Sequence, residues 1–296
     1  METNMTGLIR KGIGGFYYVE AADVLYECRA RGIFRKNGVV PMPGDRVLFV
    51  PAGDGTGEIE KILPRKNSLF RPPVANADRL IVVASVCDPE PNLLLIDKMI
   101  AFAERREIEP TLVISKIDLQ SAEFLTEAYR TSGIPFFSVS SSTGEGIENI
   151  KPLLRGKTTV FAGNTGVGKS SLLNKMFGEF CQQTGEISRK LGRGKHTTRQ
   201  VELLKLASGG YAVDTPGFSS IAAQKGEWIP PGELARCFRE FEPYLGRCRF
   251  TTCSHVCEKG CAVLKAVEEG AVSKSRHESY VAMYREMKDR NEWEMK

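Results

Sequence analysis

Nowhere in its 296 residues does the chain hold an apolar run of membrane-spanning length. The most apolar stretch, LIVVASV at 80–86, falls far short of the ~20 residues a transmembrane helix needs. The N-terminal METNMTGLIRKG lacks the continuous apolar stretch of a secretory leader. A soluble, cytoplasmic protein, expected to be a monomer without membrane attachment, is the reading. Internal repeats and low-complexity tracts are also missing, which excludes solenoids and tail-like segments. No segment is strongly basic: the net charge of +5 is spread evenly, so a broad nucleic-acid footprint is excluded. Any RNA contact has to come from local clusters, Arg29, Arg31, Arg35 and Lys36 or Arg189, Lys190, Arg193, Lys195 and Arg199. A solvated basic edge is the alternative for the first of them.

What is present divides into three segments. Residues 1–70 hold short alternating runs, GLIRKG, FYYVEA, VLYECRARG, DRVLFVP and GEIEKIL, separated by turn signals such as Gly14-Gly15 and Asn37-Gly38. That spacing predicts a small all-β barrel. Five strands fit an OB-like barrel, which the sequence alone does not separate from an SH3-like one. Residues 71–222 alternate strands and helices: RLIVVASV, IDKMIAFAERRE, TLVIS, 121–132, PFFSVS, 146–154 and TTVFAG, then VELLKLA and YAVDTPG. The alternation predicts a parallel α/β sheet. Residues 223–296 are expected to be mostly helical, with one helix over 232–242 and another around 275–290. On the latter, Tyr280, Met283, Tyr284 and Met287 form a one-sided stripe.

The strongest chemical signal is TTVFAGNTGVGKSSLLNKMF at 158–177. A branched strand runs into Gly163-Asn164-Thr165-Gly166-Val167-Gly168-Lys169-Ser170-Ser171 and then a helix. Such glycines let backbone N–H groups turn inward around phosphate oxygens at a helix N-terminus. Lys169 supplies charge to the β- and γ-phosphates, and Ser170 a hydroxyl to Mg²⁺. Downstream, Asp214-Thr215-Pro216-Gly217 ends a strand; the carboxylate is placed to hold Mg²⁺ and the Gly217 N–H to sense the γ-phosphate. Between them lies SRKLGRGKHTTRQ, 188–200, a polar loop where Thr197 or Thr198 completes the Mg²⁺ shell, Thr198 being preferred.

SKID at 115–118 and SVSSSTGEGI at 138–147 each follow a strand. Asp118 suits guanine, because one carboxylate accepts from both N1–H and the exocyclic amine, donors adenine does not present. The stem of Lys116 is placed to cover the base plane, with Ile117 between them. Ser115 stands where Asn is usual, and Ser140-Ser141 are expected to meet guanine O6 through backbone N–H. The order is thus base loop, second base loop, phosphate loop, then the two switch segments: a Ras-like domain with its elements circularly permuted.

Eight cysteines are unevenly placed. Cys28, Cys87, Cys181 and Cys237 are scattered and read as small apolar residues. Cys248, Cys253, His255 and Cys261 have the spacing C-x4-C-x-H-x5-C, soft donors enough for one tetrahedral Zn²⁺. In a reducing compartment metal is the better reading than disulfide. With four positions filled, the ion is structural; Cys257 is a fifth candidate.

Together these residues resemble the circularly permuted bacterial GTPases called ribosome small-subunit-dependent GTPase A, over nearly the whole chain. The resemblance implies GTP hydrolysis with Mg²⁺, giving GDP, one structural Zn²⁺, and stimulation by the 30S subunit late in its maturation. It also implies that the barrel and the zinc domain contact 16S rRNA. A glutamine after DTPG is absent: Phe218 and Ser219 follow Gly217. The attacking water is therefore positioned from elsewhere, by His196, a backbone group or the ribosome.

Overall fold

The computed structural model describes residues 4–32, 34, 38–70, 72–178, 201–214 and 228–289. Five strands, β1 (Met5–Ile13), β2 (Phe16–Ala21), β3 (Val24–Ala30), β4 (Arg46–Pro51) and β5 (Thr56–Ile62), close a barrel in the order β1-β2-β3-β5-β4. All pairings are antiparallel except β3 with β5. This Greek-key closure is the OB arrangement. Alternate positions point inward, and Ile9, Val19, Cys28, Val47, Phe49 and Ile59 fill the interior. The Gly14-Gly15 turn has positive φ at both residues, the conformation a two-residue hairpin needs. Arg31, one of the expected basic residues, is already paired with Glu58 and Glu60, so it adds little free positive charge there.

A short hairpin, β6 (Ser68–Phe70) and β7 (Pro73–Ala75), leads into the α/β region. Its elements are β8 (Arg79–Ser85), α1 (Leu93–Arg105), β9 (Glu109–Ser115), α2 (Glu123–Tyr129), β10 (Phe136–Ser138), α3 (Lys151–Leu154), β11 (Thr158–Ala162), α4 (Lys169–Phe177), β12 (Leu203–Lys205) and β13 (Tyr211–Asp214). The six-stranded sheet has the order β10-β9-β8-β11-β13-β12, and β12 pairs antiparallel with β13. Strands β8 and β9 are buried almost throughout, as expected of strands covered on both faces. Helix α1 starts where the Asn92 side chain accepts the Leu95 N–H, a standard N-cap. Its apolar residues Ile96, Met99, Ile100 and Ala103 recur at helical spacing and are buried.

By compactness the chain falls into two units. One comprises Met1–Arg79, Pro152–Phe161 and Phe177–Pro216; the other comprises Leu80–Lys151, Ala162–Met176 and Gly217–Lys296. The second therefore includes the C-terminal segment, with α5 (Pro231–Leu234), α6 (Ala262–Glu268) and α7 (Lys274–Asp289). The single helix expected over 232–242 does not form. After α5 the chain makes two 3-10 turns, Ala235–Cys237 and Arg239–Tyr244, broken by an extended Phe238. Pro243 lacks a donor for a continuous α-helix. The break lets Phe238 and Phe241 stack on each other and both meet Tyr280 of α7.

The stripe on α7 is core: Tyr280, Met283 and Met287 are buried. The same helix carries Arg276, fully buried yet charged. Its guanidinium donates to Asp97 Oδ1 of α1 at 2.5 Å, and to both oxygens of Glu240 at 2.7 and 3.2 Å. The cation lies over the Phe238 ring at 4.6 Å, and the Tyr129 hydroxyl donates to the same Asp97 oxygen at 2.6 Å. Burial alone would lower the Arg276 pKa, but Asp97 and Glu240 push it upward.

Removing one member of a desolvated ion cluster strands the rest. Arg276→Met is expected to cost about 3–5 kcal/mol, read as the shift in a urea unfolding curve. Arg276→Lys should recover little of it, since an ammonium cannot make the bidentate contact. A loss below about 1 kcal/mol for Arg276→Met would refute this account.

Candidate functional site

The loop after β11 is shaped by contacts that exclude side chains. At Gly163 (φ 150°) a Cβ would lie 2.4 Å from the Val83 carbonyl oxygen. Gly166 and Gly168 both have φ near 85°, a region L-residues rarely adopt. Helix α4 then begins at Lys169, whose side chain is buried, while Ser170 and Ser171 are exposed at its first turn. Unpaired N–H groups and the positive end of a helix dipole suit an anion there.

The base loop meets this loop directly. Ser115 ends β9, is 1 % exposed, and its hydroxyl donates to the Val167 carbonyl at 2.6 Å. The Ala84 carbonyl is also near, at 3.2 Å, but a hydroxyl has one proton and the shorter contact takes it. Ser115 thus turns its hydroxyl into the protein and fastens the base loop to the phosphate loop. Lys116 follows at φ 64° and its ammonium donates to the Asp88 carbonyl. Asp118 is exposed on the turn. Hydrogen bonding from the Ser140 hydroxyl holds its carboxyl below the usual range, with help from Ser142 and Lys116 against burial. An ionised Asp118 is the acceptor-only form that guanine's two donors require.

Ser140 was expected, with Ser141, to meet guanine O6 through backbone N–H. Its backbone N–H donates to the Glu145 carbonyl at 3.0 Å, which leaves Ser141 as the candidate for guanine O6. Its hydroxyl, on a residue 0 % exposed, accepts the Thr143 N–H at 3.1 Å. The turn holding it depends on Gly146 (φ 72°), where a Cβ would stand 2.1 Å from the Ser138 carbonyl oxygen. The Ser-rich run 140–143 was the only signal of this in the sequence.

Asp214 is the last residue of β13, and its register partner on β11 is Phe161, just before the phosphate loop. Thr197, Thr198, His196, Gly217 and Phe218 lie outside the described residues, as do Arg35, Lys36 and the second basic cluster.

In the C-terminal segment, one donor atom each from Cys248, Cys253, His255 and Cys261 lies within 4.8 Å of the others. Cys248 Sγ is 3.5 Å from His255 Nδ1 and 3.8 Å from Cys261 Sγ; His255 Nδ1 is 3.4 Å from Cys261 Sγ. A tetrahedral ion with metal–sulfur bonds of ~2.3 Å and metal–nitrogen bonds of ~2.0 Å separates its ligands by roughly these distances. Cys257 is exposed and outside the group, so the fifth candidate drops out. Burial pushes the Cys253 and Cys261 thiols up and lowers the His255 pKa. Helix α7 braces the loop: His277 Nε2 meets the His255 carbonyl at 2.8 Å, and the Tyr280 hydroxyl donates to the Ser254 carbonyl at 2.6 Å. The Glu258 carboxylate, lowered to about 2, gathers the N–H groups of Ser254, Val256 and Cys257. These supporting groups were not visible in the spacing.

Losing the Ser115 hydroxyl should loosen the phosphate loop by about 1 kcal/mol. Ser115→Ala is therefore expected to weaken GTP binding about five- to tenfold, leaving the preference for GTP over ATP intact. Calorimetric titration with both nucleotides checks it; a collapse of the preference would return Ser115 to base reading.

Comparison with known proteins gives matches over most of the chain. Residues 62–224 match the family model described as RsgA GTPase, and residues 6–59 match the RsgA N-terminal domain. The chain is 44% identical over 289 residues to a protein of Ruminiclostridium cellulolyticum named small ribosomal subunit biogenesis GTPase RsgA, covering 96% of this chain and 94% of that one. It is 46% identical over 287 residues to a protein of the same name from Caldanaerobacter subterraneus, covering 96% of each. Among solved structures, YjeQ from Thermotoga maritima superposes with a TM-score of 0.83 at 37% identity, over 98% of this chain and 100% of that one. YloQ, described as a circularly permuted GTPase, gives 0.80 at 34% identity, over 98% and 96%. The chain belongs to the RsgA GTPase family and is by that membership a circularly permuted GTPase.

Proposed function

We propose that this protein binds GTP with Mg²⁺ and hydrolyses it on the 30S ribosomal subunit during late maturation, slowly alone and faster when bound. The observation that carries the nucleotide assignment is the Ser115–Val167 hydrogen bond, which builds the SKID turn and the phosphate loop into one site. The ribosomal assignment is supported by the name the relatives carry, small ribosomal subunit biogenesis GTPase. In this reading Gly163 to Ser171 surround the phosphates, Lys169 neutralises them, and Lys116, Ile117, Asp118 and Ser141 take the base. Ser170, Thr198 and Asp214 would hold Mg²⁺, which supplies charge neutralisation on the phosphates. What the chain itself contributes is position: backbone N–H groups fixed around the phosphates and an ionised carboxylate fixed against guanine. His196 remains the proposed residue for orienting water. The barrel and the C-terminal segment are the proposed rRNA-contacting surfaces.

Cys248, Cys253, His255 and Cys261 are proposed to hold one structural Zn²⁺. Three thiols and an imidazole at tetrahedral separations form a closed set, with no place for a substrate.

Turnover of GTP and ATP, each with and without 30S subunits, tests the function. GTP is expected to be preferred by at least ~10³-fold, with subunits accelerating its hydrolysis; equal use of ATP, or turnover indifferent to subunits, would sink the reading. Asp118→Asn should transfer preference to xanthosine nucleotides. For the metal, Cys257→Ser should retain one equivalent of zinc by elemental analysis. Cys253→Ser should lose it together with the folding of the C-terminal segment.

A further inference from the structure

The β12–β13 hairpin occupies a telling place in the chain. Residues 188–200, the expected first switch, end two positions before Glu202, and Asp214 closes β13. The hairpin is fastened to barrel strands β1 and β2 by a charge network that nucleotide chemistry does not use. Arg10 Nε donates to the Leu203 carbonyl of β12 at 2.6 Å, and its Nη1 to Glu20 Oε2 at 2.6 Å. The same guanidinium lies over the Tyr211 ring of β13 at 5.1 Å, and the Tyr211 hydroxyl donates to Glu20 Oε2 at 3.2 Å. Lys205 of β12 donates to Glu20 Oε1 and to Asp23 Oδ1, both at 2.6 Å. Lys11 adds a 3.5 Å pair to Glu202 and a backbone bridge to it.

Glu20 is the hub. Its side chain is 11% exposed, and its two oxygens together receive Arg10 of β1, Lys205 of β12 and Tyr211 of β13. Burial would raise its pKa, but the hydrogen bonds from Lys205 and Arg10 hold it low, so the carboxylate is ionised. With the Leu203 carbonyl tied to Arg10, β12 cannot shift along β1 without breaking this set of bonds.

We infer that Glu20 is a positioning residue through which the barrel sets the β12–β13 hairpin, which ends at Asp214, the residue proposed above to hold Mg²⁺. Seating the barrel on a partner then reaches the nucleotide through β12, and nucleotide state reaches the barrel by the same route, since coupling is reciprocal. The inference rests on the nucleotide site proposed above.

Hydrogen exchange on the isolated full chain tests it without the ribosome. Replacing GDP by a non-hydrolysable GTP analogue is expected to change amide protection in β1 and β2 about threefold or more. Glu20→Gln should abolish that response while β12 amides still respond. Lys205→Met, at a half-exposed position, should do the same if Glu20→Gln folds poorly. Barrel amides indifferent to nucleotide in the wild type, or a response surviving in both variants, would overturn the inference. With 30S subunits, Glu20→Gln should lower stimulated turnover about tenfold, with intrinsic turnover and GTP affinity within twofold. A parallel fall of intrinsic and stimulated turnover that tracks a lower Tm would instead mark Glu20 as merely structural and overturn it. If subunits fail to stimulate the wild type while the exchange arm behaves as expected, the ribosomal reading falls and this one stands.

Discussion

One hydrogen bond joins what the chain order keeps apart. Ser115 and Val167 are 52 residues distant in sequence, and the base loop comes first, yet the serine hydroxyl ends on the phosphate-loop carbonyl. A nucleotide site needs its base-reading carboxylate and its phosphate cradle at a fixed separation, because a misplacement of ~1 Å forfeits much of the binding. The permutation leaves that requirement untouched: it changes which loops are covalently joined, not which strand ends lie side by side. Ser115, between buried β9 and the glycine loop, sets the separation. Gly163 packed under the Val83 carbonyl sets the phosphate end, and Gly146, against the Ser138 carbonyl, the turn after β10.

Much of this was legible in sequence, and what was not has a common cause. The barrel strands, the glycine loop, SKID and the Cys/His spacing are local patterns, and short-range chemistry shapes them. Ser115 looked like a defective asparagine because its partner, a backbone carbonyl from another loop, leaves no trace in sequence. Nothing local says that the Glu145 carbonyl takes the Ser140 N–H. Arg276 sits in KSRHES, which reads as a solvated helix face; only tertiary packing brings Asp97 and Glu240 to it. The helix expected over 232–242 failed for a related reason, as the extended Phe238 trades helical bonds for stacking against Phe241 and Tyr280.

The C-terminal segment shows how little apolar material can be made to suffice. Its metal-candidate loop is mostly half-buried or exposed, with His255 and Cys261 the buried donors. Its core combines α7 and the Phe238–Phe241 pair with Ile229, Leu234, Val263, Ala266 and Val272, all buried. One helix does both tasks: Tyr280 meets the aromatic pair and Arg276 reaches Asp97 and Glu240, while His277 and Tyr280 hold the loop carbonyls beside the thiols. Fixing the loop therefore also fixes α7, and destabilising α7 loosens the loop.

Two charge networks then differ in a way that burial decides. Arg276, Asp97 and Glu240 are all about 1% exposed. Opening that cluster leaves uncompensated charges in a low-dielectric medium, so it behaves as a permanent joint. The network on β12 is built from the same chemistry but its edge stands nearer water: Lys205 is 44% and Asp23 89% exposed, while the central Arg10–Glu20 pair is 16% and 11% exposed. Water can replace the Lys205 contacts one at a time, and each exposed pair contributes at most about 1 kcal/mol. A joint of that strength holds a strand in register at rest and still lets it re-seat at small cost. The outer Lys205 contacts are thus suited to a joint that can re-seat, and the dry cluster to one that does not.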